Sequence, residues 1–239
     1  MVDSDKEYAT CPTHGPYVER FREGGVWRCV PRCPRCAHEA RIRQVVGQAG
    51  IPERFSARSF ESYIDQGFAG QNSARVLLQQ YAENFETESA GGRGLLLIGN
   101  TGTGKTHLAS AVANHVTRRG VIALYTTASE AGRRVRDTWK RNSGPTEREV
   151  YGAYALPQLL ILDEVGRIPA DREILFEILD RRHQDAKPTL LLSNLPLESV
   201  QGVSSLKDYL GDAALRRLRE CGSRAVVFDW PTYVKAVKA

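Results

Sequence analysis

The sequence predicts an α/β fold: a parallel sheet flanked by helices, preceded by a small metal-binding module. Three observations predict it. From Gly91 onward, short apolar runs alternate with amphipathic stretches, as strands of a parallel sheet alternate with the helices that cover them. One apolar run feeds a glycine-rich turn, GNTGTGKT from Gly99 to Thr106, which opens a helix-forming stretch. Four of the five cysteines (Cys11, Cys29, Cys33 and Cys36) fall near the N-terminus, and only Cys221 lies elsewhere.

At 239 residues the chain is long enough for one well-buried domain and a small appendage. Its 41% hydrophobic and 26% charged content suits a globular protein in water. No apolar run approaches a membrane-spanning length, so no membrane partner is expected. The opening MVDSDKEYAT is acidic and polar, unlike an export signal, so the cytoplasm is the expected compartment. A net charge of +5 points to an anionic partner only where the charge is clustered.

In a chain without an export signal, clustered cysteines favour a metal over disulfides. Cys11 and His14 are separated by two residues, as are Cys33 and Cys36. Two short-spaced pairs joined by a loop suit a tetrahedral structural zinc site, because each pair sits on a turn that points both ligands at one ion. Cys29 is a competing ligand, four residues before Cys33. Residues 37–50 (AHEARIRQVVGQAG) then read as a basic helix ending at a glycine, either a solvated tether or a partner-binding element. The IPERF segment follows as a linker. The domain division predicted is 1–50 for the module and its helix, and 51–239 for the α/β domain.

The expected strands are Leu95–Ile98, Val121–Tyr125, Leu159–Leu162, Thr189–Leu192 and Ala225–Phe228, with helices near 105–118, 128–141, 171–185 and 204–220. Ile174, Leu175, Ile178 and Leu179 share one face of the third helix, as a sheet-covering helix requires. In the turn, Gly102 and Gly104 permit the backbone N–H groups to wrap a β-phosphate. Lys105 is placed to reach the β- and γ-phosphates, and the Thr106 hydroxyl to hold Mg²⁺. The nucleotide, ATP or ADP, is expected on Gly99, Asn100, Thr101, Gly102, Thr103, Gly104, Lys105, Thr106, His107 and Asp163.

The run QLLILDEVGR delivers two adjacent carboxylates at the end of an apolar strand, where α/β folds bind ligands. Asp163 is expected to organise the Mg²⁺ shell and Glu164 to polarise the attacking water. A small-molecule kinase must keep water out, so this pair predicts hydrolysis rather than phosphoryl donation. Another strand, TLLLSN, ends at Asn194, placed to reach the γ-phosphate and the water, or else a turn residue before Pro196. In GDAALRRLRE, one of Arg216, Arg217 and Arg219 is expected to complete a neighbouring subunit's site.

The stretch ASEAGRRVRDTWKR carries Arg133, Arg134, Arg136, Lys140 and Arg141 around a helix, with Ala131, Val135 and Trp139 on one face. Cations beside an aromatic suit single-stranded nucleic acid, since cations follow phosphates and rings stack on bases. Trp139 reads equally as the core anchor of that helix.

In this order the pieces resemble the DnaC-type bacterial replicative helicase loaders, AAA+ ATPases whose near relatives are the IstB-type transposition ATPases. The resemblance runs from about Gly50 to Tyr233, through AGIPERFSARSFESYI, GNTGTGKTHLASAVANHV, RDTWKRNSG, LLILDEVG, LDRRHQDAKPTLLLSN, GDAALRRLRE and VVFDWPTY. It implies that Lys105 and Thr106 belong to Walker A, Asp163 and Glu164 to Walker B, and Asn194 to sensor 1, with the arginine finger at Arg217 and Arg216 its rival. It implies a five-stranded sheet with the asparagine strand between the phosphate-loop and Asp-Glu strands. Phe60 and Tyr63 fall near the adenine or in the core. The helix carrying Arg133 to Arg141 corresponds to one that lines a DNA path in such loaders.

Two departures stand out. The chain stops soon after its last strand, so no full helical lid is expected. Val234 stands where the family places an arginine after Trp-x-x-Tyr, with Lys235 the nearest cation, which puts a sensor 2 role in doubt. The N-terminal region looks like the bacterial and phage variants that carry a zinc module, the end that grips the helicase in some loaders.

The function expected is ATP-dependent loading of the hexameric replicative helicase (DnaB type) onto single-stranded DNA, with hydrolysis stimulated by that DNA and self-association on the helicase. The rivals are an IstB-like DNA-targeting ATPase acting with a transposase, and a zinc-containing DNA-binding adaptor with a vestigial nucleotide site. An intact Lys105, Thr106, Asp163 and Glu164 speaks against the adaptor.

Overall fold

The computed structural model describes residues 5–46, 51–140, 144–167, 172–199, 202 and 204–233. Arg141, Val234 and Lys235 lie outside them.

The N-terminal module is an antiparallel three-stranded sheet: β1 (Lys6–Cys11), β2 (Gly15–Glu23) and β3 (Val26–Cys29), in that order. The β2–β3 turn is Gly24–Gly25, both at positive φ (57° and 82°), the conformation that tight hairpins select glycine for. Helix α1 (Pro34–Val46) begins earlier than the spacing predicts, at a proline in its first turn, where the missing N–H costs nothing. It carries Cys36 within it.

The linker holds the short α2 (Glu53–Ser56), followed by α3 (Ala69–Glu83) and α4 (Phe85–Glu88). The remaining elements are β4 (Leu95–Gly99), α5 (Lys105–Arg118), β5 (Ala123–Thr127), α6 (Ala128–Thr138), α7 (Glu147–Ala155), β6 (Leu159–Val165), α8 (Arg172–Gln184), β7 (Thr189–Ser193), α9 (Leu206–Glu220) and β8 (Arg224–Phe228). The five strands form one parallel sheet in the order β5-β6-β7-β4-β8. This is the five-stranded α/β fold expected, with the asparagine strand β7 between β4 and β6.

Alternate residues of these strands feed opposite faces. Leu95, Leu97, Ile161, Leu190, Leu192 and Phe228 pack beneath α3 and α5, against Leu78, Tyr81, Leu108 and Val112. Leu96, Ile98, Leu162 and Leu191 pack against α8 and α9. Toward the β5 edge, Leu124 and Leu160 meet α6 and α7, and this cluster includes Ile42 of α1, which is 0% exposed. Helix α1 is therefore seated on the α/β domain, its Arg35 lying over Gly120.

Helices α3 and α7 are among the elements that went unread in the sequence. Helix α7 starts with a capping box, Thr146 and Glu149 bonding each other's backbone N–H groups. Helix α3 covers the sheet beside α5. Helix α6 ends at Thr138, earlier than expected, so Trp139 caps it and is 60% exposed while Ala131 and Val135 are buried. Trp139 is thus not the core anchor of its helix.

Arg182 near the end of α8 is 1% exposed. Its Nη1 donates to the carbonyls of Tyr154 and Pro157, its Nη2 to that of Pro188, and its Nε to Thr189 Oγ1. It ties the ends of α7 and α8 to the start of β7. Burial pushes its guanidinium down to about 9, and these acceptors offset part of that cost.

Candidate active site and metal centre

Strand β4 runs into Gly99, where a Cβ would lie 2.1 Å from the Phe228 carbonyl oxygen, so only glycine admits the neighbouring β8. Gly102 and Gly104 have positive φ (79° and 96°), and a Cβ on Gly104 would strike the Tyr63 ring at 2.6 Å. The glycines shape a cradle that opens α5 at Lys105, so its first N–H groups face the cleft with the positive end of the helix dipole.

The loop's carbonyls are held from outside. Trp230 Nε1 and Tyr63 Oη donate to the Thr103 carbonyl at 2.9 and 3.2 Å, Thr232 Oγ1 to that of Thr101, and Tyr233 N to that of Gly102. The sequence shows WPTY only as a block; its bracing role follows from the requirement that turned-out carbonyls find donors.

Lys105 Nζ donates to the carbonyls of Gly99 and Asn100, both at 2.7 Å. Burial pushes its ammonium down to about 8, against the pull of Asp163. Thr106 Oγ1 donates to Asp163 Oδ2 at 2.8 Å, and Glu164 N to Asp163 Oδ1 at 2.7 Å. The β6–β7 ladder shifts register between Leu162 and Val165. Glu164 has φ 57° there, a left-handed conformation that a non-glycine residue adopts only when its surroundings impose it. Both Glu164 oxygens accept from Arg167 Nη1 at 2.9 Å.

Asn194, just past β7, lines the same cleft as Asp163 and Glu164. That cleft measures about 450 Å³ and is walled by Arg58, Tyr63, Ile64, Tyr233 and the loop from Thr101 to His107. Its size suits a mononucleotide. His107 Nε2 lies 2.9 Å from the Ser59 carbonyl, and burial pushes its pKa down. Of the two aromatics, Tyr63 lines the cleft and Phe60 sits in the core. A glycine-formed cradle, a buried lysine and a threonine–aspartate pair at one end of the cleft fit a nucleotide with Mg²⁺.

Arg217 lies elsewhere. Its Nε donates to Asp180 Oδ1 at 2.8 Å and its Nη1 to Glu220 at 3.3 Å, and it borders a small recess with Gly92, Arg182 and Cys221 rather than the nucleotide cleft. Arg216 is more exposed, with one long contact to Glu220 at 3.6 Å. Neither lines this chain's own cleft.

On α6, Arg133 pairs with Glu130 and Asp137, and Arg134 with Glu130. Arg136 is half-buried, Lys140 is exposed, and the Trp139 indole N–H donates to Glu147 at 2.8 Å. Trp139 and these four cations lie on α6 or just after it, with the charge of Arg133 and Arg134 offset by acids.

In the N-terminal module, ligand atoms of Cys11, His14, Cys33 and Cys36 all lie within 4.8 Å of one another. Cys11–Cys36 is 3.6 Å, and His14 Nδ1 lies 3.7, 3.6 and 3.3 Å from Cys11, Cys33 and Cys36. Ligands at zinc bond lengths on tetrahedral vertices stand about 3.5 to 3.8 Å apart. Cys29, the competing ligand, is exposed and outside the cluster. Backbone hydrogen bonds from His14 and Thr13 bring the Cys11 thiol down to about 6, while its sulfur pushes Cys36 up to about 11. Such neighbours ionise together only beside a cation. His14 Nε2 lies 3.2 Å from Glu39 Oε1, the carboxylate partner that orients metal-bound histidines. The four residues fit a tetrahedral zinc ion.

The sheet order, glycine cradle and Asp-Glu strand define an ATP-binding domain of the AAA+ type. A profile of the family described as IstB-like ATP binding protein matches residues 38–225. The replicative helicase loader DnaC of Buchnera aphidicola subsp. Baizongia pistaciae is 30% identical over 200 residues, 82% of this chain and 77% of that protein. That of Escherichia coli K12 is 30% identical over 196 residues, 81% and 76%. A crystal structure of the DnaC helicase loader superposes with TM-score 0.62 at 22% identity, covering 74% of this chain and 99% of that one. The structure of DnaI does so with TM-score 0.58 at 21% identity, covering 76% and 93%; these two likenesses establish the fold. The chain belongs to the IstB/DnaC family of ATP-binding proteins.

Proposed function

We propose that the protein is an ATP-dependent loader of a hexameric replicative DNA helicase, acting on single-stranded DNA in the bacterial cytoplasm. One observation carries this: the cleft unites Lys105, Thr106, Asp163, Glu164 and Asn194 in a chain whose 30%-identical relatives are named replicative helicase loaders.

Lys105, held by the Gly99 and Asn100 carbonyls, supplies charge for the β- and γ-phosphates. Mg²⁺, when bound, would neutralise phosphate charge from Thr106 and Asp163. Glu164 polarises the attacking water and Asn194 orients it beside the γ-phosphate. Arg217 of a neighbouring copy is the group assigned to face the γ-phosphate from outside this chain's own cleft, with Arg216 its rival. Hydrolysis therefore waits for subunits to be aligned on the helicase.

Cys11, His14, Cys33 and Cys36 hold zinc, which gives the module a fold that its apolar content cannot supply. The module, residues 1–50, grips the helicase. Single-stranded DNA passes over α6 and the residues just after it, where Trp139 offers a ring for base stacking and Arg133, Arg134, Arg136 and Lys140 offer cations for phosphates, with Arg141, outside the described residues, expected to join them. DNA bound there stimulates hydrolysis.

A transposase-linked, IstB-like ATPase is the second possibility, favoured by the family description alone. The test is helicase delivery: unwinding of a substrate coated with single-strand-binding protein, assayed with the cognate helicase, this protein and ATP. Delivery that needs both protein and ATP is the expected result. Unwinding indifferent to this protein would contradict it. Duplex-DNA filaments formed with ATP would favour the transposase-linked activity.

A further inference from the structure

The Asp163 carboxylate has a third donor that the phosphate-loop chemistry does not require. Tyr125, on β5, donates its hydroxyl to Asp163 Oδ2 at 2.8 Å, the oxygen that also accepts from Thr106. Tyr125 is buried, so the bond acts where water screens it little. If the Thr106 hydroxyl turns to a metal, Tyr125 is the side-chain donor that keeps Oδ2 in place.

The Tyr125 ring is itself propped. It packs on Phe55 of α2, with centroids 5.0 Å apart and planes inclined at 57°, and the Arg54 guanidinium covers the Phe55 ring at 4.6 Å. The backbone of this segment is moored to α5, because Asn114 Nδ2 donates to the carbonyls of Phe55, Ser56 and Arg58 at 2.8, 3.2 and 2.9 Å. A continuous set of contacts thus runs from the linker, through Phe55 and Tyr125, to the carboxylate at the metal position.

We propose that Tyr125 is a positioning residue for Asp163, and that Phe55 in the linker sets its orientation, so that the linker carrying the N-terminal module governs the metal site of the nucleotide cleft. This rests on the assignment of Asp163 to Mg²⁺ made above. A partner that grips the module and shifts α2 would then alter metal affinity without touching the nucleotide.

The test is the Mg²⁺ dependence of binding of a fluorescent, non-hydrolysable ATP analogue to the full chain, compared with its affinity in EDTA. Y125F keeps the ring and removes the hydroxyl that donates to Asp163. Its half-saturating Mg²⁺ should rise about tenfold, the effect expected on losing a group that orients a metal ligand, with metal-free affinity unchanged and Tm lowered only by the loss of one buried hydrogen bond. F55L should raise half-saturation in the same direction, and the double variant no further than Y125F, since both act on one bond. Unchanged half-saturation in Y125F, or additive effects in the double variant, would overturn the proposal. D163N separates the two levels: it should abolish the Mg²⁺ dependence. If D163N behaves as the parent, the metal assignment fails and takes this inference with it; if only Y125F does, the fault lies with Tyr125.

Discussion

Thr106 Oγ1 and Asp163 Oδ2 stand 2.8 Å apart, joining the first turn of α5 to the end of β6 across the mouth of the cleft. The contact brings together two motifs far apart in sequence, and it leaves Glu164, one residue on, at the cleft wall with Asn194. On the roles proposed above, binding rests on Lys105, Thr106 and Asp163 and hydrolysis on Glu164 and Asn194, so the two can be separated.

Glu164→Gln should bind ATP as the parent does and lose about 100-fold or more in turnover, as expected for removal of a positioned base. The lost Arg167 pairing should cost little, because that arginine is largely exposed. Nucleotide titration beside single-turnover hydrolysis measures both. A parallel fall in affinity and turnover would show that Glu164 serves binding instead.

Lys105 makes nucleotide affinity depend on pH. Its folded, nucleotide-free pKa is about 8, and bound phosphates raise it. Above about pH 8, binding must therefore take up a proton, and affinity should weaken by up to about tenfold per pH unit until the bound-state value is reached. Stability of the empty protein moves the opposite way. Its folded pKa lies below the unfolded lysine value, so stability rises with pH between the two. Analogue affinity and Tm measured from pH 7 to 9.5 check both signs.

Arg217→Ala should leave nucleotide affinity of the isolated chain unchanged, because Arg217 lines no part of its own cleft. In the helicase-bound assembly it should lose about 1000-fold in turnover if it is the finger. Arg216→Ala is the paired variant, and whichever one silences the assembly identifies the group. Its Asp180 contact makes Tm the necessary control for Arg217→Ala.

Helix α1 ties the Cys11–His14–Cys33–Cys36 cluster to the ATP-binding domain. Ile42→Ala should destabilise the α/β domain by about 2 kcal/mol or more, the cost of emptying a fully buried site. Cys33→Ser with Cys36→Ser should abolish zinc retention, read by metal analysis, and lower Tm, whereas Cys29→Ser should change neither. A metal-free double variant with parental Tm would show that the module and core are energetically independent.

The sheet was legible because each strand is an apolar run and each covering helix has one apolar face. The N-terminal strands were not: of β1, β2 and β3 only Cys11 is buried, so no alternation marks them, and Gly24–Gly25 was the one signal available. Thr106, Asp163 and Glu164 were legible because motif spacing reports them. Trp230, Thr232, Tyr125 and Asn114 were not, since their partners lie far along the chain. Arg182 illustrates the same limit. Beside Arg181 in LDRR it reads as surface charge, yet it shares the helix face of Ile178 and Leu179 and is buried with them.

The most direct test of the loader assignment is native mass spectrometry of this protein with its cognate replicative helicase, in ATP and in ADP. A discrete set of copies on one helicase hexamer in ATP, depleted in ADP, is the predicted result, and the stoichiometry would show whether neighbouring copies can share Arg217. Absence of any complex in either nucleotide would contradict it.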